Sequence, residues 1–165
     1  LPTLEQTVRT SLNEFAQFLS DTTWRGRERE LISLYAFGFL RKHCKPKSVL
    51  HDPTQIGIEV AVPQIPRPNA KPQVSKDLVI WKNPGMTCWD SHGKPTRHPL
   101  AILEWKVGSR KGMKGDLKWL SEYSKERKGF VGFAIFCSAS PSVSLKVTLV
   151  QRGRVTDGWL TLPRG

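Results

Sequence analysis

Cysteine is scarce in this chain: three residues, Cys44, Cys88 and Cys137, among 165. The number is odd, the spacings are wide and no C-x-x-C occurs, which excludes a disulfide-built scaffold and points to a reducing, intracellular (cytoplasmic) setting. No apolar run approaches the ~20 residues a membrane-spanning helix needs. No segment has the pattern of a secretory leader, and a chain that opens on Leu1 rather than Met leaves room for residues upstream. Internal repeats and low-complexity tracts are missing too, which excludes solenoids and disordered tails. The scarcest charge is negative. Fourteen Asp and Glu face 26 Lys and Arg, a net charge of +12. An excess of that size on one domain favours a polyanionic partner, nucleic acid ahead of an anionic membrane surface. With 38% hydrophobic residues, the chain has enough apolar content for one core, and residues 1–165 read as a single domain.

Leu4, Val8, Leu12, Phe15 and Leu19 recur at helical spacing, with Thr3 and Gln6 placed for a capping box, so residues 3–20 read as an N-terminal helix. Residues 25–43 read as a second helix, buried through Leu31, Ile32, Tyr35, Phe39 and Leu40. Glu28 lies on the border of that apolar face, whereas Glu30 lines up with Leu34 and Phe37. As ordinary first-turn acids, both would favour the helix dipole. A basic stretch, 41–47, closes the helix before Pro46, and its Lys42 and Lys45 are candidate phosphate contacts. Residues 56–62 alternate as a strand with Ile56, Ile58, Val60 and Val62 on one face and Glu59 on the other. Four prolines make 63–73 an irregular loop.

Two strand-like runs follow, 76–81 and 99–107, joined by a long connection from Asn83 to His98, and together they read as an antiparallel hairpin with an elaborated tip. A basic glycine-rich loop, 108–115, leads to a third helix over 116–127. Its charges, with Arg110, Lys111, Lys114 and Lys118 foremost, are candidate grips on a nucleic-acid backbone. Residues 130–137 are apolar enough for a strand buried on both faces, and residues 139–165 add further strands, the last of them a candidate edge. The order α-α-β-β-β-α-β-β-β predicts an α/β (α+β) fold with a central mixed sheet of about five to six strands flanked by helices.

The hairpin carries charge where a buried strand should avoid it. Asp77 and Glu104 lie at matching distances from the middle of the connection, so a regular hairpin sets them face to face. Lys106, two residues on, points to the same face as Glu104, and Trp105 points to the other. Two carboxylates on adjacent strands can hold Mg²⁺, which binds one or two carboxylates and completes its shell with water and substrate phosphate. A lysine on the same side is placed to hold the attacking water or stabilise charge on the phosphorus.

Asp77 followed by Glu104-Trp105-Lys106 resembles the P-D…(D/E)-x-K nuclease superfamily, which includes restriction endonucleases and archaeal Holliday-junction resolvases. Glu28-Arg29-Glu30-Leu31-Ile32 is similar to the resolvases' early helix, and Ser75-Lys76-Asp77-Leu78-Val79 to their aspartate strand. The resemblance implies a restriction-endonuclease-like core and a metal-dependent DNA endonuclease using Mg²⁺, with Mn²⁺ able to substitute. It further implies Asp77, Glu104 and the Trp105 main-chain carbonyl as metal ligands, Lys106 as the catalytic lysine and Glu28 as a helper, ligating directly or through water. Many members cut as dimers, so a homodimer is compatible with the resemblance, and no sequence feature marks its interface. The chain departs from the pattern in having Lys76 where proline is usual and a long gap between Asp77 and Glu104. That gap makes Asp90 a rival first carboxylate.

Other readings stay open. A nucleic-acid-binding module on the same fold that does not cut is the second, DNA being favoured over RNA, and a basic protein-interaction domain is a third class. Cys88, His92 and His98 match no common zinc spacing and lack a fourth ligand. Trp89 and Trp119 are candidates to stack on bases.

Overall fold

The computed structural model describes residues 1–164. Helix α1 spans Leu4–Asp21, and its predicted capping box is present: Gln6 N–H donates to Thr3 Oγ1 and Thr3 N–H donates to Gln6 Oε1. The second helix departs from expectation at both ends. Helix α2 covers only Glu28–Leu34, then opens into a wide π turn over Tyr35–Phe39 and tightens into a 3₁₀ turn over Leu40–His43. Residues 25–27 stay outside the helix. Gly26 lies against the Trp24 ring, where a Cβ would stand 2.3 Å from a ring carbon, and Arg27 N–H is taken by the Glu30 carboxylate. The wide turn holds Tyr35 fully buried, with its hydroxyl 2.7 Å from Ser11 Oγ of α1.

Strands β1 (Ile56–Pro63), β2 (Gln73–Ile80) and β3 (Ala101–Val107) form an antiparallel meander. Helix α3 (Met113–Lys125) then carries the chain to β4 (Val131–Ser138), which pairs parallel with β3. Strands β5 (Ser144–Gln151) and β6 (Arg154–Leu162) continue antiparallel, giving a six-stranded mixed sheet in the order β1-β2-β3-β4-β5-β6. The fold is therefore α+β, one mixed sheet flanked by three helices. One face, through Leu78, Leu103, Trp105 and Phe133, packs on α1 and α2. The other, through Val79, Ile102 and Ala134, packs on Trp119, Leu120 and Tyr123 of α3.

Alternation breaks in β1 and β2. Regular pleating would keep Ile56, Ile58, Val60 and Val62 on one face. Instead Ile56 and Ile58 join the α1–α2 core, and Val60 and Val62 join the α3 core. The switch occurs at Glu59, which has φ +52, opposite Asp77; neither residue appears in the ladder between the pairs Ile58↔Leu78 and Val60↔Lys76. Exposed Glu59 is bonded to Arg29 at 2.9 Å, tying the start of α2 to this irregularity.

Candidate functional site

The ladder between β2 and β3 runs Ile80↔Ala101, Val79↔Ile102, Leu78↔Leu103, and its continuation sets Asp77 opposite Glu104. At that step side chains replace the backbone ladder. Asp77 N–H donates to Glu104 Oε2 at 3.1 Å, and Trp105 N–H donates to Asp77 Oδ2 at 2.8 Å. The two carboxylates thus interlock where the strands part. In a strand, a residue's N–H and C=O point to the same edge. The Trp105 carbonyl therefore faces the gap beside Asp77, while Gly108 N–H, of opposite parity, bonds to Cys137 of β4.

The ammonium that meets Glu104 belongs to Lys76, a residue outside the expected site set. Lys76 Nζ lies 2.9 Å from Glu104 Oε1 and 3.8 Å from the centre of the Trp119 ring, and both charged side chains are almost wholly buried, at 7% and 6% exposure. The break in pleating allows this, since regular alternation would put Lys76 on the face of Leu78, away from Glu104. Burial is the strongest influence on the Glu104 carboxyl and raises its pKa; Lys76 opposes the rise, Asp77 adds to it, and the net direction is up. An apolar strand interrupted by Lys76 was the available signal, because buried lysines require a partner.

Lys106 shares the face of Glu104 but is paired elsewhere. Its Nζ lies 3.0 Å from Asp116 Oδ2 of α3, each side chain 22% exposed. This is an ion pair out of hydrogen-bond alignment, so Asp116 Oδ2, shielded from solvent, has no hydrogen-bond donor among the described residues. Burial alone would lower the lysine pKa. Contact with Asp116 and the charges of Asp77 and Glu28 outweigh it, and the net direction is up. Gly112 closes over this ammonium. It has φ +88, and a Cβ there would stand 3.3 Å from Lys106 Cε. Asp116, read from sequence only as the start of a helix, is thus a member of the site.

Glu28 opens α2, is half-buried and lies within electrostatic reach of Lys106. It is not grouped with Asp77 and Glu104; among the described residues no three His, Cys, Asp or Glu side chains assemble as a metal cage. The residues nevertheless fit Mg²⁺ chemistry, which asks for one or two carboxylates and oxygen donors beside them. Asp77, Glu104 and the Trp105 carbonyl meet that requirement.

Asp90 is occupied in its own loop. Its carboxylate accepts from His92 N–H, Lys94 N–H and Thr96 Oγ1, and the bonds from Lys94 and then Thr96 hold its pKa down. His98 Nδ1 lies 2.6 Å from the Tyr123 hydroxyl and 2.9 Å from Arg127 Nε, and burial, then Arg127, lowers its pKa. Trp119, expected as a base-stacking candidate, is buried against Tyr123, and its Nε1–H donates to Gln64 Oε1; exposed Trp89 keeps a free face. Arg110, Lys111, Lys114 and Lys118 are exposed around the start of α3, with Arg110 over the Phe136 ring. Lys42 and Lys45, also exposed, follow α2 on the opposite side of the sheet. All three cysteines are free thiols, and among the described residues no helix is long and apolar enough to cross a membrane.

No family model, curated protein or solved structure matches this chain.

Proposed function

We propose that the chain is a divalent-metal-dependent nuclease of the P-D…(D/E)-x-K type with a restriction-endonuclease-like core, acting on DNA as an endonuclease. The observation that carries the reading is the interlock of Asp77 and Glu104 at the parting of β2 and β3, with Lys106 one step along the same face. A helix, an antiparallel meander, a second helix and a strand parallel to the third is also the element order that the resemblance implies.

Asp77, Glu104 and the Trp105 carbonyl would hold Mg²⁺, or Mn²⁺ in its place. When bound, the cation supplies charge neutralisation at the phosphate and a lowered pKa for water. Glu104 would take that role by giving up the ammonium of Lys76. Lys106 remains protonated at neutral pH through Asp116, Asp77 and Glu28, which suits it to hold the attacking water and stabilise charge on the phosphoryl oxygens. The exposed cations around the start of α3 would hold the flanking backbone.

The test is nicking of supercoiled plasmid in Mg²⁺ or Mn²⁺, alongside linear, branched and single-stranded DNA and RNA. The expected result is cleavage by the wild type and at least a hundredfold loss in Asp77→Ala and Lys106→Ala with folding intact. Wild-type cleavage by Lys106→Ala would refute the assigned role of the lysine. A second reading, a binding module that does not cut, is favoured by one observation: both lysines are already paired, Lys76 with Glu104 and Lys106 with Asp116. Binding without nicking in either cation would select it.

A further inference from the structure

We infer a second phosphate-binding groove, at the end of the sheet away from Asp77 and Glu104, where the β5–β6 turn meets the segment between α3 and β4. Two cavities adjoin there, of about 670 Å³ and 390 Å³, and both are lined by Gly129 and Phe130. Arg152 and Arg154 line the larger, and Lys82, Arg127 and Lys128 line the smaller. Among the described residues none of these five cations is ion-paired with a carboxylate. The carboxylate hydrogen-bonded to the lining is Glu5, on Gln151 Nε2 at 2.9 Å. The groove is therefore a concave surface on which five unpaired cations outnumber one adjoining carboxylate, the electrostatic setting that concentrates polyanions.

Two details suit phosphate rather than solvent alone. Arg127 is held in place, its Nε–H donating to His98 and an Nη1–H donating to the Tyr123 carbonyl at 3.0 Å, with the guanidinium 4.0 Å from the Tyr123 ring centre. A fixed guanidinium loses less freedom on gripping a phosphate. The β5–β6 turn places Arg152 at φ +50 and Gly153 at φ +77. Turns with both central residues left-handed favour Asn-Gly, so an arginine here is unfavourable to the turn, and it lines the groove.

The ligand class is the nucleic-acid backbone. Glu104 pairs with Ala134, five residues beyond Gly129, which at ~3.3 Å per residue puts the groove roughly 16 Å along the strand from the carboxylates. That is too far for the phosphate between Asp77 and Glu104, and it corresponds to about five base steps of duplex. The groove is a separate anchor, and it stands whether or not the chain cuts.

Fluorescence anisotropy with a labelled duplex and a labelled single strand, in EDTA so that cleavage does not intervene, tests it. The variant is Arg152→Gln with Arg154→Gln, both exposed and outside the core. The control, matched in charge, is Lys47→Gln with Lys71→Gln, two exposed cations outside the groove. The groove variant is expected to lose at least tenfold in affinity at low salt, and its plot of log K against log salt should flatten by about 1.8 for two lost duplex contacts. A loss no greater than the control's overturns the inference. So does binding by the wild type to phosphatidylserine vesicles with none to either nucleic acid. Binding through the groove without plasmid nicking upholds the inference and rejects only the cleavage reading.

Discussion

Replacing Lys76 by Met removes the ammonium from Glu104 while keeping a chain of similar length over Trp119. Lys76 and Glu104 are 7% and 6% exposed and 2.9 Å apart, so the substitution leaves a nearly buried carboxylate without its cation. Breaking such a pair on one side costs about 3–5 kcal/mol. The bond from Asp77 N–H remains on Oε2, which favours the lower end. For a chain of this size about 3 kcal/mol lowers Tm by roughly 6–12 °C. The pH dependence gives the sharper test. Glu104 already has a folded-state pKa above its ordinary value, chiefly from burial, and loss of Lys76 raises it further. A carboxyl raised in the folded state favours folding below its unfolded pKa and loses that contribution as pH climbs through the folded one. The deficit should therefore be small near pH 4.5 and grow towards pH 7.5, with a limiting slope of about 1.4 kcal/mol per pH unit. Urea unfolding followed by tryptophan fluorescence at the two pH values measures it, and Lys76→Met with Glu104→Gln should recover most of the stability at pH 7.5. A Lys76→Met protein as stable as wild type at pH 7.5, or one with the same deficit at both pH values, would refute the reasoning.

Asp116→Asn removes the main partner of Lys106 and should lower the lysine pKa, moving the alkaline limb of a cleavage rate–pH profile to lower pH; an unmoved limb would separate Asp116 from the site. The raised Lys106 pKa stabilises the fold at neutral pH and loses that contribution only as pH rises past the ordinary lysine range, so Asp116→Asn should narrow the difference from wild type in strongly alkaline buffer. Asp90→Ala deletes three hydrogen bonds within the hairpin connection, and faster amide exchange over 88–97 with plasmid nicking unchanged is expected; lost nicking would return Asp90 to candidacy as a ligand.

Much of the architecture was legible because it rests on periodicity. The stripe of Leu4, Val8, Leu12, Phe15 and Leu19 and the Thr3–Gln6 box fix α1, and counting inward from the Asn83–His98 connection sets Asp77 opposite Glu104. The misses arose where tertiary contacts override period. The wide turn at Tyr35–Phe39 follows from seating Tyr35 against Ser11, an interaction between residues 24 apart in sequence. The face switch at Glu59 needs a left-handed residue that is neither Gly nor Asn, which no local pattern announces. Asp116 was hidden because its role depends on where α3 lands.

The break in pleating links these misses to the chemistry. Had β1 and β2 alternated regularly, Lys76 would have pointed with Leu78 into the apolar α1–α2 core, on the face away from Glu104. Glu104 would then have sat almost buried beside Asp77 with no cation between them, an arrangement that like-charge repulsion and burial both oppose. Turning the strand at Glu59 and Asp77 brings Lys76 to the α3 side, where its ammonium offsets one of the two carboxylate charges. Arg29, exposed and 2.9 Å from Glu59, reaches that turn from the same helix that delivers Glu28 towards Lys106. A metal-dependent site built on this irregular strand pair would bind its cation by displacing Lys76 from Glu104 rather than by filling a preformed cage.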